Sequence, residues 1–116
     1  MKLEIALVFE SSYYDKSVEI RKGISKLGHT IDQVQSQDIE KYNCVISIFP
    51  QPKQTHERLL RELCHRTIIH ISVADSPSDV PEWYHIISQH SVNITEINDC
   101  IESIHAISTT LSDISK

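Results

Sequence analysis

A chain of 116 residues, 40% hydrophobic and 23% charged, has the size and balance of a single globular domain over residues 1–116 and leaves no room for a second. Two Gly and four Pro exclude collagen-like and low-complexity classes, and a formal charge of −5, with eleven Lys and Arg scattered along the chain, speaks against nucleic acid as a partner. No apolar run nears the roughly 20 residues of a membrane span, the N-terminus lacks a signal-peptide core, and Cys44, Cys64 and Cys100 fit neither a disulfide framework nor a zinc motif, so we expect a cytoplasmic protein with no membrane partner.

Residues 3–9, Leu-Glu-Ile-Ala-Leu-Val-Phe, read as a first strand, and Glu10-Ser11-Ser12 supply turn and helix-cap chemistry after it. A helix is predicted over 13–27, with Ile20, Ile24 and Leu27 at i, i+4 and i+7 and Val18 widening the stripe. Gly28 ends it, because glycine accepts the left-handed conformation just past a helix. A short strand follows at Thr30-Ile31, then a polar loop over 32–41 with one helical turn near Ile39.

A strand is predicted over 43–49, near-continuously apolar from Cys44 to Phe49 and stopped by the turn Pro50-Gln51-Pro52. The helix predicted over 54–65 places Leu59, Leu60, Leu63 and Cys64 on one stripe, and a second apolar run covers 67–73. Runs of this kind, not alternating, are expected of strands covered by helices on both faces of a parallel sheet. Beyond a loop at 74–81, Pro81 suits the first position of a short helix over 82–87. Residues 91–94 are a minor fifth strand, and Thr95 caps a last helix carrying Ile97, Ile101, Ile104, Ile107 and Leu111, with fraying expected over 108–116.

Strands alternating with helices need right-handed crossovers, which gives an α/β fold: a three-layer, doubly wound, mostly parallel five-stranded sheet of flavodoxin-like order 2-1-3-4-5. Ligands of such sheets sit outside the carboxyl ends of strands 1 and 3, here 9–14 and 49–54. A phosphoacceptor receiver needs an acidic pair after strand 1 and an aspartate ending strand 3, since aspartate is both Mg²⁺ ligand and nucleophile. The chain offers Glu10 but ends strand 3 on Ile48-Phe49-Pro50, which excludes that chemistry. A dinucleotide fingerprint is absent too. Ser11, Ser12 and Tyr13 bring hydroxyls without glycines, so a helix cap is the plainer reading of them and a nucleotide pocket the sharper one.

The residues Glu10-Ser11-Ser12-Tyr13-Tyr14-Asp15, Lys26-Leu27-Gly28-His29-Thr30-Ile31, Val45-Ile46-Ser47-Ile48, Arg61-Glu62-Leu63, Ile68-Ile69-His70-Ile71 and Val80-Pro81-Glu82-Trp83 resemble, in order, the landmarks of TIR domains. The resemblance implies a small TIR-like module that self-associates or binds a protein partner in signalling. In the family's NAD-cleaving members an essential glutamate sits in a Trp-x-x-x-Glu-Leu setting; by position that glutamate is Glu62, with Arg58 standing where the family has tryptophan.

The leading expectation is therefore a non-catalytic interaction or nucleotide-sensing module, self-associating or partner-bound, with no certain cofactor. The alternative is an NAD-processing hydrolase releasing nicotinamide through Glu62, with Ser11, Ser12 and Tyr13 lining the nucleotide pocket. Opposed to that role, Glu62 lies one turn after Arg58, the spacing of a solvated salt bridge. His56, His65 and His70 share no obvious face, so no metal site is expected. Cys64 beside His65 reads as core, and Trp83-Tyr84 as packing over the sheet edge, with a partner surface as the alternative.

Overall fold

The computed structural model describes residues 2–33, 42–49, 51, 53–66, 69–75, 77–88 and 90–114. Five strands, β1 (Glu4–Phe9), β2 (Thr30–Gln33), β3 (Cys44–Ile48), β4 (Ile69–Ala74) and β5 (His90–Asn93), form one sheet in the order β2-β1-β3-β4-β5. Every pair is parallel. Among the described residues four α-helices connect or follow the strands: α1 (Tyr14–Lys26), α2 (Gln54–Arg66), α3 (Glu82–Ile87) and α4 (Ile97–Ile114). The expected α/β fold and its flavodoxin-like order are present.

Side-chain alternation divides the core between the two faces. Ile5, Leu7, Cys44, Ile46, Ile48, Ile71 and Val73 pack with Ile20 and Ile24 of α1 and with Ile97, Cys100 and Ile104 of α4. On the other face Ala6, Val8, Val45 and Phe49 meet Leu60 of α2 and Tyr84 of α3. All five residues of β3 are buried, as its near-continuous apolar run demands of a central strand covered on both sides.

Local chemistry sets the helix ends. Gly28, at φ +90°, follows α1, and the Leu27 and Gly28 amides donate to the carbonyls of Ile24 and Ser25. In the next residue the buried imidazole of His29 accepts the Leu3 amide at 3.0 Å, which ties the entry of β2 to that of β1. Gly23 lets α1 approach α4 closely, because a Cβ there would run into the Ile101 side chain.

Several local expectations need correction. Residues 32 and 33 extend β2, so the chain does not leave the sheet at Ile31; the rest of the loop expected at 32–41 lies outside the described residues, as do Pro50 and Pro52. No side chain caps α1 or the 3₁₀ turn Ser11–Tyr13 that precedes it: the cap positions fall on Tyr13 and Glu10, and neither makes a side-chain cap bond. Pro81 takes the cap position of α3, one residue ahead of the first helical turn. Before α4 the organising residue is Asn93, whose carboxamide oxygen accepts both the amide and the hydroxyl of Thr95, at 2.9 and 2.7 Å. α4 runs on through Ile114, inside the segment where fraying was expected. The side chains of Leu63, Cys64 and His65 lie outside the described residues, whereas Cys44 and Cys100 are buried.

Candidate functional site

The sheet order reverses between β1 and β3, and the carboxyl ends of these two strands form the rim where ligands of such sheets sit. Phe9 and Ile48 are in register, and the Glu10 amide donates to the Ile48 carbonyl at 3.2 Å, which holds the first residue after β1 against the end of β3. Glu10 is half-buried and its carbonyl accepts the Tyr13 amide at 2.9 Å, closing the Ser11–Tyr13 turn. Past β3, Phe49 stays buried and its amide continues the ladder to the Val73 carbonyl at 3.1 Å.

The His56 ring stacks on Phe49 with centroids 4.2 Å apart and planes 30° from parallel. Its Nδ1 accepts the Lys53 amide at 3.1 Å, which fixes the ring across the start of α2. Burial lowers its pKa first; the Glu10 carboxylate pulls the other way, and the Lys53 ammonium lowers it further. The rim thus brings together one carboxylate, one neutral imidazole and one ammonium over an aromatic floor. Among the described residues no three His, Cys, Asp or Glu converge as metal ligands would.

Of the residues singled out from sequence, Ser11 and Ser12 lie on this rim and are exposed, while Tyr13 turns inward against the α1/α4 core. Glu62 is elsewhere. It belongs to a shallow depression formed wholly by α2, among Gln54, Glu57, Arg58 and Arg61, and it pairs with Arg58 at 3.5 Å. The side chains of that pair are 59% and 92% exposed, so the bridge is solvated and contributes little. The i, i+4 salt bridge weighed against a catalytic role is the arrangement present. Trp83 and Tyr84 pack as expected, with Tyr84 fully buried and their rings edge-on at 5.4 Å.

A second constellation was not foreseen. On the α2/α3 face Ser47 of β3 and His70 of β4 point inward beneath Tyr84 of α3, all three buried. Ser47 Oγ lies 2.6 Å from His70 Nε2 and 2.6 Å from the Tyr84 hydroxyl, and His70 Nδ1 lies 3.0 Å from the Ile87 carbonyl. The Ile87 carbonyl can only accept, which places the imidazole proton on Nδ1 and leaves Nε2 to accept from Ser47. Ser47 then accepts from Tyr84, so one direction of donation satisfies the whole chain. Burial pushes the His70 pKa down to about 4, only partly offset by its bond to Ile87.

A serine touching a histidine invites a nucleophile-and-base reading. Burial of all three side chains closes the hydroxyl off from solvent, and His70 Nδ1 is bonded to the Ile87 carbonyl where a triad would place a carboxylate. The network does structural work: it holds α3, a helix of six residues too short to persist alone, onto the sheet. The signal available in the sequence was parity, since Ser47, His70 and Ser72 are polar residues on one side of otherwise apolar strands.

No family model matches the chain, and no curated protein matches it. Two solved structures do. An orphan response regulator of H. pylori aligns at TM-score 0.62 and 17% identity, covering 90% of this chain and 94% of that one. A CheY-like response regulator receiver domain from Methylobacillus flagellatus aligns at TM-score 0.61 and 18% identity, covering 89% of this chain and 99% of that one. The chain shares the receiver fold. None of these comparisons supports the TIR resemblance, and what stands from it is the flavodoxin-like sheet.

Proposed function

We propose that this receiver-fold chain is a signalling module that acts by binding a protein partner and works without aspartyl phosphorylation. The observation carrying the reading is the end of β3. Where a phosphoacceptor aspartate is required, the strand ends on Ile48, which is buried in the α1/α4 core, and continues into Phe49, which is buried beneath the His56 ring. Glu10 contributes a single carboxylate on the β1 side, short of the acidic pair that would hold Mg²⁺. With the phosphoryl site filled by apolar side chains, the module is left with its surfaces as the means of output.

The test is incubation of the full chain with acetyl phosphate and Mg²⁺ followed by intact-mass measurement. The expected result is no phosphoryl adduct; an adduct mapped to a carboxylate at the β1/β3 rim would overturn the reading.

A further inference from the structure

Charge is distributed unevenly over this fold. Between Thr67 and Ser115 the sequence holds seven Asp and Glu and not one Lys or Arg. That segment builds β4, β5, α3 and α4, with β5 as one edge of the sheet. At the opposite edge α1 and β2 border an open groove of about 490 Å³. Tyr14, Val18 and Ile31 give it an apolar lining, and Arg21, Lys22 and Lys26 give it three positive charges, with no acid among the described lining residues. Among the described residues no carboxylate is paired with any of the three. Tyr14, on the groove's rim, leaves 55% of its surface in solvent.

The acidic side carries a matching shape. Ile86 on α3 is 66% exposed, more than any other large hydrophobic residue among those described. Glu82 lies one helical turn before it on the same face, and Asp79 stands in the 3₁₀ turn leading into the helix; both are exposed. An apolar knob flanked by carboxylates on one edge thus faces the same solvent as an apolar groove flanked by cations on the other.

We propose that the partner of this domain is a second copy of itself, docked head to tail, with Ile86, Glu82 and Asp79 of one copy seated in the α1–β2 groove of the next. The proposal rests on the reading of the chain as a protein-binding module and gives that module its partner. A free anion or an unrelated acidic protein would account for the groove but leave the Ile86 knob unexplained; a second copy covers both. The two surfaces belong to opposite edges of the sheet and to helices on opposite faces, so the contact is heterologous. Each added copy presents another free knob and another free groove, and growth is open-ended unless the rotation closes a ring. Salt dependence follows from the two electrostatic scales. Copies of net charge −5 repel at long range, a repulsion screened beyond about 10 Å at 0.1 M salt, while the docked charges act in contact. Assembly therefore strengthens from very low to moderate salt and weakens again at high salt.

Sedimentation velocity of the full chain over a concentration series at moderate salt tests this. The wild type is expected to grow past a dimer with concentration. Ile86→Lys, which spoils the knob, and Arg21→Glu with Lys22→Glu, which spoils the groove, are each expected to weaken assembly by about tenfold or more. Mixed, they are expected to form a one-to-one dimer and nothing larger, because one intact knob meets one intact groove. Thermal melts check that each variant folds; Lys26→Glu, in the last exposed turn of α1, replaces the double variant if it melts early. A wild type that stays monomeric at every concentration, assembly unmoved by either variant, or a mixture that fails to pair would each overturn the proposal. None of these results touches the phosphorylation test, whose failure is read separately as a mass adduct.

Discussion

Acid should weaken this protein through His70 in a calculable way. The side chain is 1% exposed, donates from Nδ1 to the Ile87 carbonyl and accepts from Ser47, so the folded state holds it neutral. Its pKa falls from 6.5 to about 4, with desolvation the first cause. Above pH 6.5 the imidazole is neutral in both folded and unfolded chains and confers no pH dependence. As pH drops from 6.5 toward 4 the unfolded chain takes up a proton that the folded chain refuses, so stability falls, and it levels off once the folded imidazole also protonates. At about 1.36 kcal/mol per pH unit the loss over that window is on the order of 3 kcal/mol, a large share of the ~5–15 kcal/mol typical of a domain. Urea unfolding followed by fluorescence of Trp83, the chain's one tryptophan and 5.4 Å from the Tyr84 ring, reads the network directly. His70→Gln, which keeps an acceptor for Ser47 but does not titrate, separates this histidine from the carboxylates and from His29 and His56, whose burial lowers their pKa values in the same sense. The wild-type stability should drop more steeply than the variant's between pH 6.5 and 4. Parallel pH profiles for the two proteins would refute the assignment of a neutral, network-bound imidazole.

Three further outcomes follow from the packing. Gly23→Ala should destabilise the fold by about 1 kcal/mol net, since the clash with Ile101 outweighs the gain of about 1 kcal/mol in helix propensity; adding Ile101→Val, which removes the obstructing methyl, should recover most of it in a double-mutant cycle by chemical denaturation. Ile48→Asp, the change that would install a phosphoacceptor residue type, should cost more than about 4 kcal/mol, because the carboxylate would enter the α1/α4 core; a thermal melt near that of the wild type would show the β3 end to be open to solvent instead. Glu62→Gln should leave the thermal melt unchanged and alter no NAD turnover, with free nicotinamide as the readout; release by the wild type that the variant loses would move Glu62 from a solvated helix face into a catalytic role.

The elements that sequence alone placed well are those in which one physical signal dominates. The apolar runs ending at Phe49 and Val73 admit only buried strands between two helical layers, and the burial of β3 and β4 follows. α3 was placed to the residue because a proline, a short apolar pattern and flanking loops agree on it. What escaped was chemistry that depends on tertiary partners. Nothing local to Ser47, His70 or Tyr84 reports that one hydroxyl stands 2.6 Å from both of the others, because the three come from β3, β4 and α3. His29, the residue after the helix-ending Gly28, is a buried acceptor for the Leu3 amide, a partner 26 residues away that nothing local to it announces. The caps failed for a related reason. Ser11 and Ser12 have the right side chains for a helix start, but the amide ladder from Glu10 to Ile48 and the 3₁₀ turn put other residues at the cap positions.

The same balance explains how the chain keeps this sheet with an apolar end to β3. Carboxylates gathered at one rim repel one another and need a cation to coexist. Ile48 and Phe49 instead carry the core to the end of the central strand, where each buried side chain adds stability on the order of 1.5–3 kcal/mol. The polar groups that remain inside the α2/α3 face, Ser47, His70 and Tyr84, are hydrogen-bonded, and their burial suppresses response to neutral pH: His70 stays uncharged down to about 4, and on the other face burial pushes the Cys100 thiol up to about 12. Neither group changes charge near pH 7. The uneven charge of this fold lies on its outside, between the cationic α1–β2 groove and the acidic edge that carries α3.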